Sequence, residues 1–166
     1  EDLEYRNGVA YLPNEETPFT GRAEGFYDNG QEMYEYNYKD GELDGRQTGW
    51  YENGQREQEE NYKDGKEDGP YTGWHENGQK RMEVSFKDGD PDGLSTGWYK
   101  NGQKQRESRW KNGKLMSAVH WKPNGEKCPV TKIDEEGNGI VVWYKEDGTE
   151  DYESIYKDGE LAGLTP

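Results

Sequence analysis

Few side chains in this 166-residue sequence are suited to catalysis or to binding a transition metal. The only histidines are His75 and His120, and the only cysteine is Cys128. A cysteine nucleophile needs a base beside it, and no feature of the sequence places a histidine near Cys128. We therefore expect no catalytic residue; we interpret His75 as a surface ring that replaces the tyrosine of other repeats, and His120 as a strand residue. A single cysteine also excludes an internal disulfide.

The stretch from Asp88 to Gly93, Asp-Gly-Asp-Pro-Asp-Gly, matches the first half of a calcium-binding loop. The last position of such a loop should be a glutamate that binds Ca²⁺ through both oxygens, but Tyr99 stands there. Two turns in series, with aspartates bonded to their own backbone, explain the same pattern. The sequence predicts turns, with low-affinity calcium binding by Asp88, Asp90 and Asp92 as the alternative, and no cofactor is expected.

The charge balance restricts the class of partner, because the formal net charge is -15. Binding a nucleic-acid backbone or an anionic membrane surface requires an excess of Lys and Arg, so neither partner is expected. A basic protein partner is favoured through long-range attraction; alternatively, the charge only keeps the protein soluble. No apolar run approaches the roughly 18 residues of a spanning helix, so this segment should not insert into a membrane.

An internal repeat decides whether such a polar chain folds. Only 19 of the 166 residues are Leu, Ile, Val or Phe, which together with the net charge of -15 predicts disorder. However, an Asn-Gly-Gln motif recurs every 24 residues, at Asn29, Asn53, Asn77 and Asn101. Looser versions follow at Asn124 and Asp147, and an aromatic residue stands four positions before each motif's glycine: Phe26, Trp50, Trp74, Trp98, Trp121 and Tyr144. A disordered linker has no reason to keep such a phase.

Each repeat has the pattern of two strands. Asn-Gly between alternating residues is a strong hairpin signal, and it predicts a two-residue type I′ turn at Asn53-Gly54. A second glycine series, which includes Gly41 and Gly65, predicts the turn into the next unit. No apolar stripe of helical period is present, so helices are not expected.

The hairpin pairing predicts what each face of the sheet carries. One face should hold Gly49 with tyrosines of the neighbouring strand, since a glycine leaves room for a ring over bare backbone. The opposite face should carry Trp50, Trp74 and Trp98 beside charged residues, with Arg81 against Trp74 as a cation–π pair. These three tryptophans and Arg81 are our candidate partner-binding residues, because Trp and Arg are frequent binding hot spots. The alternative is that the rings only cover the sheet.

The expected fold is all-β, an elongated single-layer antiparallel meander of about six two-strand repeats of ~24 residues. Residues 1–20 are expected to cap its N-terminal end, and residues 161–166 to form a tail. The array should occupy 21–160, with units at about 21–45, 46–69, 70–93, 94–117, 118–139 and 140–160. The phase loosens from Lys114 to Lys132, where no glycine precedes His120, so the fifth unit is expected to be the least regular.

The units TGWYENGQREQEENYKDGKEDG and TGWHENGQKRMEVSFKDGDPDG resemble the MORN-repeat variant family, found in bacterial antitoxin-like repeat proteins. The segment from Arg6 to Gly21, RNGVAYLPNEETPFTG, resembles the usual leader of that family. The resemblance covers roughly residues 5 to 160. It implies a β-meander with a binding role, and relatives often follow a secretion or lipoprotein signal.

Several functions remain open from the sequence. The first is a non-enzymatic scaffold for protein–protein interaction, including antitoxin- or immunity-like neutralisation of a basic partner. The second is a secreted or lipid-anchored structural protein of the bacterial cell envelope, and the third is a glycan-binding module. An enzyme would need a carboxylate pair in a cleft, which a single-layer sheet rarely offers. The first residue is Glu1 and not Met. If an upstream signal was removed, the expected location is periplasmic, cell-envelope or secreted; if no signal was present, the expected location is cytoplasmic.

Overall fold

A computed structural model of the chain describes residues 3–165, and every regular element in that range is a β-strand. Glu1 and Asp2 of the expected cap, and Pro166 of the expected tail, lie outside the described residues. All strand pairs are antiparallel, and consecutive long strands lie side by side. The all-β meander expected from the repeats is therefore confirmed.

The strands fall into three hydrogen-bonded sheets. The first contains β1 (Glu4–Arg6) and β2 (Val9–Tyr11). The second contains β3 (Gly21–Phe26), β4 (Glu32–Lys39), β5 (Glu42–Leu43), β6 (Gly45–Trp50), β7 (Arg56–Lys63), β8 (Lys66–Glu67), β9 (Gly69–Trp74), β10 (Lys80–Lys87), β11 (Asp90–Pro91), β12 (Gly93–Trp98), β13 (Lys104–Lys111) and β14 (Lys114–His120). The third contains β15 (Lys132–Ile133), β16 (Gly139–Tyr144), β17 (Glu150–Lys157) and β18 (Glu160–Thr165).

The Asn-Gly hairpins form where the sequence predicts them, but with a different turn. Gly49 pairs with Gln58 as expected, whereas Trp50 pairs with Arg56 because a bulge shifts the register beyond Gly49. The Gly54 amide donates to the Tyr51 carbonyl at 2.8 Å, and only Gly54 of the Asn53-Gly54 pair has a positive φ. The predicted type I′ turn is therefore wrong at this site, since that turn requires positive φ at both central residues.

The type I′ geometry occurs instead at the second glycine series. Asp40 and Gly41 have φ values of 51° and 83°, and they join Lys39 to Glu42 as a directly paired two-residue hairpin. The strand that follows is interrupted at Asp44, between β5 and β6, and the next residue, Gly45, has a φ of +90°. The Gln47 side chain replaces the missing ladder bonds. Its Oε1 accepts from the Asn37 backbone amide at 2.7 Å, and its Nε2 donates to the Asn37 carbonyl at 3.1 Å. Gly69 and Gly93 have positive φ at the same place in the next two units, so a bent strand follows the second turn in each of these three units.

The meander is interrupted in the fifth repeat. After the Asn124 turn, Trp121 pairs with Lys127, and the Cys128 amide bonds the His120 carbonyl at 2.7 Å. Pro129 follows at once, and proline has no amide hydrogen with which to continue a ladder. The next strand therefore begins only at Lys132, and the sheet divides there.

The two ends of the array are paired rather than free. Residues 161–165, expected as a tail, belong to β18, and Ile155 pairs there with Gly163. At the other end, the β1–β2 hairpin is bonded to the sheet by the Ala10 amide, which donates to the Gly41 carbonyl at 2.8 Å. The hydroxyls of Tyr5 and Tyr38 also share a hydrogen bond of 2.8 Å.

Candidate interaction surfaces

Side-chain hydrogen bonds hold consecutive hairpins in the same orientation. Tyr51 donates its hydroxyl to the Trp74 carbonyl at 2.7 Å, and Asn53 donates its amide to the Glu76 carbonyl at 3.0 Å. The same tyrosine bond recurs from Tyr27 and Tyr99, and His75 makes it with Nε2 at 3.0 Å from the Trp98 carbonyl. Surface residues one repeat apart are therefore presented in parallel rows.

The outer face, defined by Trp50, Trp74 and Trp98, is half-buried. The guanidinium of Arg56 lies 6.0 Å from the centre of the Trp74 ring, and it also forms an ion pair with Glu59 at 3.0 Å. Lys104 lies over Trp121 in the same way, at 5.3 Å. A basic side chain of the preceding hairpin thus covers part of these rings.

Arg81 does not lie against Trp74, so the expected cation–π pair is wrong. A bulge between Lys80 and Met82 adds one residue to the strand at this position. Arg81 consequently donates to the Tyr71 hydroxyl at 3.3 Å, on the face opposite the Trp74 ring. The structure brings the three tryptophans onto one face and separates Arg81 from them.

The opposite surface, here called the tyrosine face, consists of Tyr34, Tyr36, Tyr38, Glu60 and Tyr62. Gly49 pairs with Tyr34 on one side and Gln58 on the other, which places the alternate residues of β4 and β7 on this face. The Tyr34 and Tyr36 rings stack with centroids 4.7 Å apart. A Cβ at Gly25 would overlap the Tyr34 ring, so the expected placement of a ring over bare glycine is confirmed there.

Two carboxylates on the tyrosine face are partly desolvated. Burial raises the pKa of Glu60, and the nearby Glu67 raises it further. Burial also raises the pKa of Glu67, whose strand pairs it directly with Tyr62. Burial, followed by the charges of Glu60 and Glu67, raises the pKa of Tyr62 to about 12. This surface is therefore aromatic and electronegative.

Sequence reasoning missed a cluster at the C-terminal end of the same surface. Where the regular repeats have a glycine, the last two have His120 and Trp143, whose rings meet edge to face at 4.7 Å. Arg106 packs 5.1 Å from the Trp143 ring centre, and its buried Nε has no hydrogen-bond partner. Burial and then the charge of Arg106 lower the pKa of His120 to about 4. The sequence signal for this cluster was the replacement of the repeated glycine by His120 and Trp143.

The remaining residue with a reactive side chain is the single cysteine, Cys128. Cys128 is buried, and its sulfur lies 3.2 Å from the Tyr144 hydroxyl. Burial would raise the pKa of the Cys128 thiol, but hydrogen bonds from Tyr144 and Thr131 lower it overall. Cys128, Val142 and Tyr144 form one hydrophobic cluster.

The candidate calcium residues lie in consecutive turns. Asp88 is the first central residue of a tight hairpin, at φ 53°, and Asp92 accepts the Asn112 amide at 3.2 Å. Asp90 pairs with Lys87 on the far side of the same hairpin. Within residues 3–165, no three His, Cys, Asp or Glu side chains are grouped so that they could hold a metal ion. The same range contains no helix long and apolar enough to cross a membrane.

Comparison with known families identifies the repeat. A family model described as MORN repeat variant matches residues 19–40, 43–64, 67–88 and 91–112, together just over half of the chain. Each matched span contains one Asn-Gly hairpin and ends at or next to the residue that begins a tight second turn. No curated protein matches the chain.

Proposed function

Because this chain belongs to the MORN repeat variant family, we propose that it is a non-enzymatic scaffold that binds a basic protein partner. The observation that carries this proposal is the unbalanced acidic charge of a sheet with both faces accessible. The chain has 36 acidic and 21 basic residues, and only a minority of the acids form ion pairs in the described part of the structure. Such a surface attracts a cationic partner over long distances.

The candidate anchors fit this scaffold in two groups. Trp50, Trp74 and Trp98 lie on the outer face, and at Trp74 a cation of the partner would replace the Arg56 side chain that now lies against the ring. Arg81 belongs to the opposite face and would contact a partner there through the guanidinium beside Tyr71. We propose both groups as contact residues rather than as a single stripe.

A pulldown with the immobilised chain tests the proposal. We expect the captured proteins to be basic, and the affinity of the purified partner to fall as the salt concentration rises from low to physiological values. Capture of only neutral or acidic proteins, or an affinity that does not depend on salt, would contradict it.

Neutralisation of a toxin is a finer form of the same proposal. An antitoxin- or immunity-type protein would mask a basic partner encoded beside it, so co-expression should restore growth to cells that produce that partner. A role in the cell envelope would instead require an export signal upstream of Glu1 in the gene and partners at the cell surface. Failure of co-expression to protect cells would remove the neutralising form and leave the scaffold.

A further inference from the structure

We propose that the free edge of β3 pairs with the same edge of a second copy of the chain. The two strands run antiparallel about a twofold axis, which sets Arg22 of each copy opposite Glu24 of the other. This inference goes beyond the scaffold proposal and does not depend on it. It follows from an unpaired strand edge, from the space beside that edge and from charges that match each other under the twofold axis.

Strand β3 lacks the second neighbour that the equivalent strands of later units have. β6 lies between β4 and β7, and β12 lies between β10 and β13, whereas within residues 3–165 β3 is bonded to β4 alone. The burial differs accordingly. Gln47 and Thr48 of β6 are each 1% exposed, but the equivalent Ala23 is half-buried and Glu24 is exposed. Alternate N–H and C=O groups of β3 point away from the sheet, where an added strand would bond them.

A cavity of about 500 Å³ lies beside this edge. It is lined by Ala23 and Phe26 of β3 together with Leu3, Leu12 and Phe19. Ala23 and Phe26 point to opposite faces of the sheet, so a cavity that touches both lies at the edge rather than on one face. A strand placed one spacing away, at about 4.8 Å, would enter this space and contact its apolar side chains.

The charges along the edge favour a second copy as the occupant. Arg22 and Glu24 lie on the same face of β3 and form an ion pair with each other. A twofold axis at Ala23 sets Arg22 opposite Glu24 on both sides of the axis. Moving the register by two residues would instead set either two Arg22 or two Glu24 side chains opposite each other, which is destabilising. A shift by one residue would place opposite faces side by side. The charge pattern thus selects one register.

The tyrosine-face side of β3 fits the same register. The Phe19 ring lies over Gly21, and the Tyr34 ring lies over Gly25. With the axis at Ala23, Gly21 of one copy is opposite Gly25 of the other, so these two rings would lie side by side across the axis. An axis perpendicular to the sheet leaves the tyrosine faces of both copies on the same side. The interface is isologous and closes as a dimer.

The other terminal strand, β18, is less suited to such pairing. Ala162 is an extra residue between the partners of Ile155 and Tyr156, and a bulge of this kind turns an edge away from other chains. The extra residue in the first hairpin is Met33, which belongs to β4, so β3 itself is regular from Gly21 to Phe26.

An exchange of charges tests the interface and its register. In Arg22→Glu both positions are acidic, and in Glu24→Arg both are basic, so each variant alone sets like charges opposite each other. A mixture of the two variants restores opposite charges in a heterodimer. The matched control is Arg46→Glu, because Arg46 has the equivalent place in β6, away from the edge. Sedimentation velocity measures the association of each protein and of the mixture at physiological salt, which screens the net charge of acidic chains.

We expect the wild-type protein to dimerise as its concentration rises. Arg22→Glu and Glu24→Arg should each raise the dissociation constant about tenfold or more, and the equimolar mixture should recover to within about threefold of the wild type. Arg46→Glu should change it less than about twofold, and thermal unfolding confirms that each variant is folded.

Tighter dimerisation of Glu24→Arg than of the wild type would overturn this interface, because association would then follow the net charge. A wild-type protein that stays monomeric at the highest concentration reached, or a mixture that does not recover, would also overturn it. None of these outcomes affects the scaffold proposal, which the pulldown decides.

Discussion

The imidazole of His120 meets the indole of Trp143 edge to face, with ring centroids 4.7 Å apart and an angle of 90° between planes. His120 is 3% exposed, and Arg106, its partner in the strand pair, packs against Trp143. The regular repeats have a glycine at the equivalent position, whereas the last two repeats have an aromatic or imidazole ring there. Stability at this end of the array should therefore depend on the neutral form of His120.

The pH dependence of stability should reveal this histidine. Its pKa falls from 6.5 to about 4 on folding, because of burial first and the charge of Arg106 second. Between pH 6.5 and about 4, His120 is protonated in the unfolded chain but neutral in the folded protein. The contribution of neutral His120 to stability is therefore complete above pH 6.5 and is lost as the pH falls toward 4. The loss should reach about 3 kcal/mol of unfolding free energy.

Urea unfolding of the wild-type protein and of His120→Phe at several pH values measures this loss, since the effects of the carboxylates common to both proteins cancel. Parallel pH curves would contradict the assignment.

Two equivalent glycines should respond differently to alanine. A Cβ at Gly25 would overlap the Tyr34 ring, whereas a Cβ at Gly49 would lie 3.4 Å from Cγ of Gln58, a flexible side chain. We expect Gly25→Ala to lower the unfolding free energy by about 1–3 kcal/mol. Gly49→Ala should be neutral or stabilising, because alanine is ordered in a strand at lower entropic cost. Chemical denaturation compares the two, and equal losses would mean that the ring does not decide the difference.

The hydrogen bond from Tyr51 to the Trp74 carbonyl, at 2.7 Å, couples neighbouring hairpins. Tyr51→Phe should lower the unfolding free energy by about 1 kcal/mol, because the carbonyl loses its donor. His75→Tyr is the matched control, since His75 makes the same bond with Nε2 and a tyrosine hydroxyl can replace it. That variant should retain wild-type stability in thermal unfolding; a large loss would show that the two rings are not equivalent.

The second turns should select residues by backbone conformation. Asp64 has a φ of 48°, and Asn112 takes the equivalent place in a later hairpin at 47°. Asp64→Asn should be tolerated, whereas Asp64→Val should cost about 1–2 kcal/mol, because a β-branched side chain strains the left-handed region. Denaturation midpoints of the two variants provide the measurement, and a stable valine variant would contradict the assigned turn.

Glu60 should reduce the stability of the free protein. Its folded-state pKa is raised by burial and by Glu67, so the ionised form is disfavoured on folding and stability should increase as the pH falls toward that pKa. Glu60→Gln should consequently raise the melting temperature at neutral pH. Glu59→Gln should lower it slightly or leave it unchanged, because its ion pair is exposed to solvent. A lower melting temperature for Glu60→Gln would mean that this carboxylate has a structural role.

The placement of the hairpins was predictable, but their turn geometry was not. Asn-Gly dipeptides occur in both type I′ and bulged hairpins, and the hydrogen bonds around the dipeptide decide between the two turns. The Asn53 carboxamide accepts the Gln55 amide at 2.9 Å and donates to the next hairpin, which favours the bulged form. In the next hairpin, the bulge at Arg81 turns this side chain to the face opposite Trp74. The predicted Trp74–Arg81 contact is therefore wrong, although the rows of tryptophans and tyrosines were predicted correctly.

The sequence by itself determined the repeat length, the strand order and the residues that alternate between faces, because these depend on contacts within one unit and its neighbour. Only the tertiary structure decided that Pro129 divides the sheet, that Arg106, His120 and Trp143 close its end, and that Glu60 is left among tyrosine rings without a cation. These features depend on which side chains meet across neighbouring strands and repeats, as Arg106 meets His120 and Trp143. The repeat pattern does not encode those contacts, since bulges and packing decide them.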